Sequence, residues 1–192
     1  GLDNTNQTRT ANIWTKLYTA IRNCNVALDR LPQASQMSED KINSYIGELR
    51  FIRGLTYFYL VRYFGDVPLH VEENMSEYNI GKSSKDVIYE LIESDLRFAV
   101  NNAPQTPRLA GTPSVNSAKS LLGEVYATLG RYEESKQLLE EVINSGQYSL
   151  VTVSSAADFN NVFGPEIVSS TEEIFYIKAV SYTHLTLPTN RE

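Results

Sequence analysis

The chain has 192 residues, which is enough for one sizeable hydrophobic core. Its hydrophobic content of 42% and charged content of 21% are typical of a globular chain and argue against intrinsic disorder. The formal net charge of −6 argues against nucleic acid and anionic membrane surfaces as partners and leaves uncharged ligands open. No apolar stretch approaches the roughly 20 residues of a membrane span.

The first predicted helix covers residues 11–31, after a polar segment, residues 1–10, that we expect to be a loop. Pro32 ends this helix. Its apolar stripe consists of Ile13, Trp14, Leu17, Tyr18, Ile21, Cys24, Leu28 and Leu31. We assign Trp14 to the core rather than to a ligand platform, because it lies on that stripe.

Two other side chains of this helix have expected roles. Cys24 is the only cysteine, so it cannot form an internal disulfide, and we expect it to be a small buried hydrophobe. Asn25 is polar within the helix, and we expect it to bond a neighbouring helix or turn rather than a ligand.

The second predicted helix, from near Ser38 to Phe64, organises the rest of the chain. Two faces are apolar, so we expect other elements to cover it from two sides. Gly54 is costly inside a helix, which predicts the close approach of another backbone. Gly65 and Pro68 end the helix. The first apolar face comprises Ile42, Tyr45, Ile46, Leu49, Ile52, Thr56, Tyr59 and Leu60. The second comprises Phe51, Leu55 and Phe58.

Three charged residues of this helix, Glu48, Arg50 and Arg53, lack an opposite charge three or four positions away. A buried charge must be paired, so we expect Glu48 and Arg53 to reach other elements. We favour structural ion pairs that fix helix packing, and a ligand-facing pair is the alternative.

Three stretches of this sequence resemble the SusD/RagB family. They are Glu48-x-Arg50-Phe51-x-Arg53-Gly54-x-x-Tyr57-Phe58-x-Leu60, then Phe64-Gly65-Asp66-Val67-Pro68-Leu69, and upstream Trp14-x-x-Leu17-Tyr18-x-x-Ile21-x-x-x-Asn25. The resemblance implies an outer-membrane, lipid-anchored protein of the starch-utilisation type. Such a protein binds oligosaccharide or polysaccharide and passes it to a SusC-like TonB-dependent transporter.

A polar connection, residues 65–82, follows and contains His70 and Tyr78. Loops of this length are usually functional or packed in their own right. A third helix is predicted over residues 84–101, and Ser83 with Asp86 resembles a capping box. A loop rich in proline and glycine comes next: Pro104, Pro107, Gly111 and Pro113.

A pair of helices is predicted over residues 117–129 and 131–144, and its pattern resembles a tetratricopeptide repeat. Gly123 allows the two helices to approach, and Ser135 takes the small position. One repeat cannot bury its own face, so we expect the first two helices to stack on this pair. The predicted fold is therefore mainly α, with tetratricopeptide-like antiparallel helix pairs in a SusD-like α-α superhelix and long loops. A short strand is predicted at Glu173–Ile177.

Two regions are expected: a SusD-like helical domain over residues 1–180, truncated at both ends, and a tail at residues 181–192. The tail continues no family pattern and resembles a translated sequencing adapter, so we expect it to be non-native. The chain begins with Gly1 and shows no signal peptide, which suggests a mature fragment or a truncated chain. The lipid anchor implied by the resemblance would lie on an upstream cysteine that this chain lacks.

No catalytic, metal-binding or cofactor motif is present. There is no phosphate loop or dinucleotide fingerprint, and only two histidines, of which one lies in the tail. The absence of these motifs predicts that the protein is not an enzyme, and the SusD/RagB resemblance implies a binding protein at the outward-facing surface of the outer membrane. The resemblance names no ligand-binding residue, because those residues vary with the glycan. A helical-repeat adaptor that binds a protein or peptide is the alternative function.

Overall fold

A computed structural model describes residues 4–160 and 170–177. Five α-helices make up most of this part of the chain: α1 (Asn4–Arg30), α2 (Glu39–Phe64), α3 (Lys85–Asn102), α4 (Val115–Thr128) and α5 (Tyr132–Asn144). Two short strands, β1 (Val67–Pro68) and β2 (Lys82–Ser83), pair in antiparallel fashion. Short 3-10 helices cover Leu31–Gln33, Glu72–Asn74 and Ala156–Phe159. The predicted mainly α fold is confirmed.

α2 is the central helix, and it is covered from two sides as its sequence predicts. α1 packs on one side of it and α3 packs on it more extensively. Phe51, Tyr57 and Leu60 of α2 are at most 1% exposed. They join Ile21 of α1 and Ile92 of α3 in one hydrophobic core.

The order of stacking differs from the prediction. α3 packs on both α2 and α4, so it separates the first two helices from the pair formed by α4 and α5. α2 meets α4 only marginally. The reason lies in α3 itself, where Ile88, Ile92, Leu96 and Ala99 are all fully buried and require neighbours along the whole helix.

The expected loop at residues 1–10 is wrong for residues 4–10, which belong to α1. The side chains of residues 7–13 are all exposed, so this end of α1 has no buried stripe. A helix without a buried face leaves no hydrophobic period in the sequence, which is why periodicity missed it.

Close approach to a backbone occurs at a different glycine from the one predicted. A Cβ added at Gly54 would meet the Leu96 side chain at 3.2 Å, so this glycine makes room for a side chain. A Cβ at Gly47 would lie 2.8 Å from the backbone nitrogen of Ala103. Gly47 is therefore the position where α2 and the end of α3 require the absence of a side chain.

The α4–α5 pair is built as its sequence predicts. A Cβ at Gly123 would lie 3.0 Å from the Leu139 side chain, and Ser135 is buried at the small position. Gly130 has φ of 76° in the turn, a conformation that favours glycine. Leu122 is 2% exposed and belongs to the core, whereas Leu139 is 37% exposed and contacts Gly123.

The strand predicted at Glu173–Ile177 is wrong, since these residues form bends and irregular backbone. The segment packs on the helices instead of pairing with a strand. Ser117 Oγ donates to the Ile174 carbonyl at 3.0 Å, and the Phe175 ring meets Phe51 edge-on at 4.8 Å. The expected tail at residues 181–192 lies outside the described residues.

Candidate functional site

The connection between α2 and α3 is held by a buried cluster of charged and polar side chains around Arg53. Arg53 makes two hydrogen bonds to the Asp95 carboxylate, Nε to Oδ2 at 2.7 Å and Nη2 to Oδ1 at 2.8 Å. Its Nη1 donates to Asn25 Oδ1 at 2.8 Å and to Glu72 Oε2. One side chain of α2 thus joins α1, α3 and the connection, which confirms that Arg53 reaches other elements.

Glu48 is the second charge that the sequence left without a local partner. Arg108, in the loop between α3 and α4, donates to both of its carboxylate oxygens at 2.8 and 2.6 Å. The Arg108 guanidinium also lies over the Tyr45 ring, 4.6 Å from its centroid. This pair fastens the loop to α2, as expected of a structural ion pair.

The charge states of the Arg53 cluster follow from burial and pairing. Burial alone lowers the pKa of the Arg53 guanidinium, but the hydrogen bonds to Asp95 and Glu72 outweigh it and raise that pKa. Burial alone raises the pKa of the Glu72 carboxyl, but hydrogen bonds from its own backbone and from Arg53 lower it. Burial raises the pKa of the Asp95 carboxyl, and Arg53 opposes that rise. Glu72 is therefore charged at neutral pH and holds the connection through Arg53.

The backbone around His70 is fixed by side chains of α1 and α2. Asn25 Nδ2 donates to the His70 carbonyl at 3.0 Å, and its bond from Arg53 of α2 confirms the expected bond to a neighbouring helix or turn. Tyr57 Oη donates to the same carbonyl at 2.9 Å and accepts from the His70 N–H at 2.7 Å. Tyr18 Oη donates to the Pro68 carbonyl at 2.8 Å. The start of the connection, residues 68–70, is therefore held rigidly beside α1, and we call these residues the ledge.

A cleft of about 580 Å³ lies between α1 and this connection. Its volume falls in the range of about 300–1,000 Å³ that is usual for small-molecule sites. A groove between α2 and α4 is smaller, at about 430 Å³, and residues 174–177 form part of its wall. The cleft is lined by Tyr18, Ile21, Arg22, Asn25 and Val26 of α1 and by His70, Met75, Ser76, Glu77 and Tyr78 of the connection.

The lining combines apolar surface with polar groups that other residues do not use. Tyr18 presents its ring, because its hydroxyl is already bonded to Pro68. The Tyr18 ring meets the His70 ring edge-on at 5.7 Å, so it is held in place. Arg22 and Glu77 are exposed and make no ion pair within the described part of the chain. Such a cleft suits a ligand with both apolar faces and hydroxyl groups.

The sequence did not identify this cleft. Tyr78 in a long polar connection was the available signal. A tyrosine in a loop belongs to no periodic apolar pattern, so the sequence did not show which way its side chain faces. His70 contributes through its backbone and its ring contact. Trp14 belongs to the edge of the core, packed edge-on against Phe64 at 4.9 Å, and Cys24 is 5% exposed. Both of these assignments to the core are confirmed.

Two other properties concern the same described residues. Within residues 4–160 and 170–177, no three His, Cys, Asp or Glu side chains are grouped so that they could hold a metal ion. None of the helices in that part of the chain has the length and apolar character needed to cross a bilayer.

Comparison with known protein families shows which family this helical scaffold belongs to. A SusD-like family model, described as starch-binding and associating with the outer membrane, matches residues 2–159. The chain belongs to the SusD-like family. The resemblance carried by the α1 and α2 motifs is thereby confirmed.

Curated SusD-like proteins of Formosa agariphila are similar in sequence. SusD-like protein P2 is 29% identical over 154 residues, which are 78% of this chain and 30% of that protein. SusD-like protein P25 is 26% identical over 164 residues, which are 82% of this chain and 31% of that protein. The chain therefore spans about a third of the length of these SusD-like relatives.

Solved structures share the fold. A SusD-like protein of Bacteroides fragilis superposes with a TM-score of 0.79 at 26% identity, over 90% of this chain and 34% of that one. A SusD superfamily protein of Bacteroides vulgatus gives a TM-score of 0.71 at 30% identity, over 82% of this chain and 34% of that one. A laminarin-binding SusD-like protein gives a TM-score of 0.68 at 29% identity, over 83% and 36%.

Proposed function

We propose that this SusD-like chain belongs to a protein that binds an oligosaccharide without breaking any bond in it, and that the cleft between α1 and the α2–α3 connection contacts the sugar. The observation that carries the proposal is the lining of the cleft. A fixed tyrosine ring lines the same cleft as Arg22 and Glu77, which make no ion pair among the described residues. Sugars have apolar C–H faces that pack on aromatic rings and hydroxyl groups that bond charged side chains.

The biological setting is also part of this proposal. The family description, starch-binding and associating with the outer membrane, supports a glycan ligand and that location. The laminarin-binding relative supports a glucose-based glycan. We further propose a lipid anchor, an outward-facing position and a SusC-like TonB-dependent transporter as partner. Residues 1–180 would then be helical scaffold of a longer protein, with residues 181–192 a non-native tail.

The test is binding of the full-length parent protein to glycans. Affinity electrophoresis in gels that contain starch, laminarin or xyloglucan should retard the protein in at least one gel. Replacement of Arg22 by alanine should weaken that binding about three- to thirtyfold, because a hydrogen bond from a charged group is lost.

Arg9→Ala is the matched control, because Arg9 is an exposed arginine of the same helix and is not part of the cleft lining. It should leave retardation unchanged. Unretarded migration in every gel would contradict glycan binding. Equal effects of the Arg22 and Arg9 changes would contradict the location of the site.

A further inference from the structure

One wall of the cleft is a segment that is fastened at both ends and free between them. We call residues 75–81 the strap. At its start, Asn74 accepts from the Val71 N–H at 2.9 Å and donates to the Leu69 carbonyl at 3.0 Å. At its end, Lys82 pairs with Pro68 in the β1–β2 ladder. Both attachment points therefore lie on the rigid ledge beside α1.

The strap itself makes few bonds. Within the described part of the chain and outside the strand ladder, the hydrogen bond found in the strap runs from the Glu77 N–H to the Asn74 carbonyl, at 3.0 Å. Gly81 has open space where a Cβ would lie. A segment with so few contacts opens and closes at low free-energy cost. The strap can therefore change position while its two ends stay in place.

The strap carries a large ring that is almost fully exposed among the described residues. Tyr78 is 94% exposed although it lines the cleft, whereas Tyr18 on the opposite wall is half-buried and held through its hydroxyl. An exposed aromatic ring beside a cavity gains the burial of its apolar surface only when a ligand provides the other face.

We propose that the strap closes over a sugar in the cleft, so that Tyr78 covers the sugar ring that rests against Tyr18. This inference rests on the proposed glycan binding and adds a named ligand-contacting residue and a closure step. Tyr18 is the fixed half of the clamp and Tyr78 the moving half. Short loops that close over bound ligands in this way exclude water and slow ligand release.

The first experiment measures binding by calorimetry with the full-length parent protein. The probes are maltoheptaose, a laminarin oligosaccharide and a xyloglucan oligosaccharide. Tyr78→Ala should weaken the tightest of these interactions about three- to tenfold, the loss of one aromatic contact. Tyr78→Phe should retain most of the affinity, because the ring remains. Tyr132→Ala removes a comparably exposed tyrosine from α5 and should have no effect.

The second experiment observes the strap itself. Asn79→Cys labelled with bimane, which tyrosine and tryptophan quench, reports whether the strap moves toward Tyr18 and Trp14. The native Cys24 should stay unlabelled, because it is 5% exposed and burial raises the pKa of its thiol to about 11. Ser94→Cys on the exposed face of α3 is the matched label position. Binding of the probe should lower the fluorescence of bimane at position 79, because the strap moves toward the quenching rings. The fluorescence of bimane at position 94 should stay unchanged.

The outcomes separate the strap from the proposed function. Binding with quenching at position 79 and a weaker Tyr78→Ala variant supports the strap. Binding with unchanged fluorescence and an unaffected Tyr78→Ala variant overturns the strap and leaves glycan binding intact. Lack of binding to all three probes overturns both.

Discussion

At the scale of single residues, Arg53 and Asp95 form the most deeply buried ion pair of the described chain. The Arg53 side chain is 3% exposed and that of Asp95 is 1% exposed, so water stabilises neither charge. Each charge is tolerated because the other is present and because Asn25 and Glu72 complete the hydrogen bonds of the guanidinium. The exposed pair Arg62 and Glu124 has no such dependence.

Loss of one partner of the buried pair should therefore be costly. Asp95→Asn should lower the free energy of unfolding by about 3–5 kcal/mol, because it removes the buried carboxylate that binds Arg53 through two hydrogen bonds and leaves only the partly exposed Glu72 as counter-charge. Glu124→Gln, which breaks the exposed pair with Arg62, should cost less than about 1 kcal/mol. Urea denaturation of both variants measures the difference, and equal losses would contradict the buried pair.

The two leucines of the α4–α5 pair should respond differently to truncation. Leu122→Ala should cost about 2–5 kcal/mol, because Leu122 is 2% exposed and its loss leaves a cavity. Leu139→Ala should cost less, because Leu139 is 37% exposed and its loss removes less buried apolar surface. Thermal unfolding followed by circular dichroism gives the comparison. A larger loss at Leu139 would mean that α5 packs differently.

At the scale of elements, Glu93 of α3 fastens the turn before α5. It accepts from Arg131 at 2.7 Å and from the Tyr126 hydroxyl at 3.0 Å, and it also pairs with Arg97 of its own helix. The Arg131 guanidinium lies 4.0 Å from the centroid of the Tyr126 ring. The Glu93 carboxylate therefore links α3 to Tyr126 of α4 and to Arg131, which directly precedes α5.

This arrangement predicts a dependence of stability on pH. Burial alone raises the pKa of Glu93, but the bonds from Arg131, Arg97 and Tyr126 outweigh it and lower that pKa. A lowered carboxyl pKa stabilises the fold above the unfolded value of about 4.3, and this contribution is lost as the pH falls through the folded value.

Glu93→Gln should therefore destabilise the protein by about 1 kcal/mol at neutral pH, a value kept small by solvent screening. Below the ordinary glutamate range, at about pH 3, the variant and the parent should converge. Urea denaturation at the two pH values measures this. Glu90→Gln, at an exposed position of the same helix, should change little at either pH. A penalty for Glu93→Gln that persists in acid would contradict the ionic explanation.

At the scale of the whole molecule, the described residues form a scaffold with several apolar side chains in solvent. Tyr63 is 68% exposed, Leu109 65% and Ile143 73%. The chain spans about a third of the length of its SusD-like relatives. The scaffold and the cleft therefore correspond to one part of the much longer SusD-like relatives.

The sequence by itself determined the five helices apart from the first residues of α1, and most of their buried faces, since a period of 3.6 residues records which side of a helix is buried. The motifs of α1 and α2 carried the resemblance that the family match confirmed. It also showed that Glu48 and Arg53 need distant partners, because a buried charge cannot remain unpaired. Only the tertiary structure decided that these partners are Arg108 and Asp95, which lie 60 and 42 positions away.

The tertiary structure likewise decided the place of α3, the irregular path of residues 173–177 and the cleft beside α1. Each of these depends on which surfaces meet. Local pattern records how much of a side chain is buried, but it does not record which neighbour buries it, so contacts between distant segments became known only once the helices were packed.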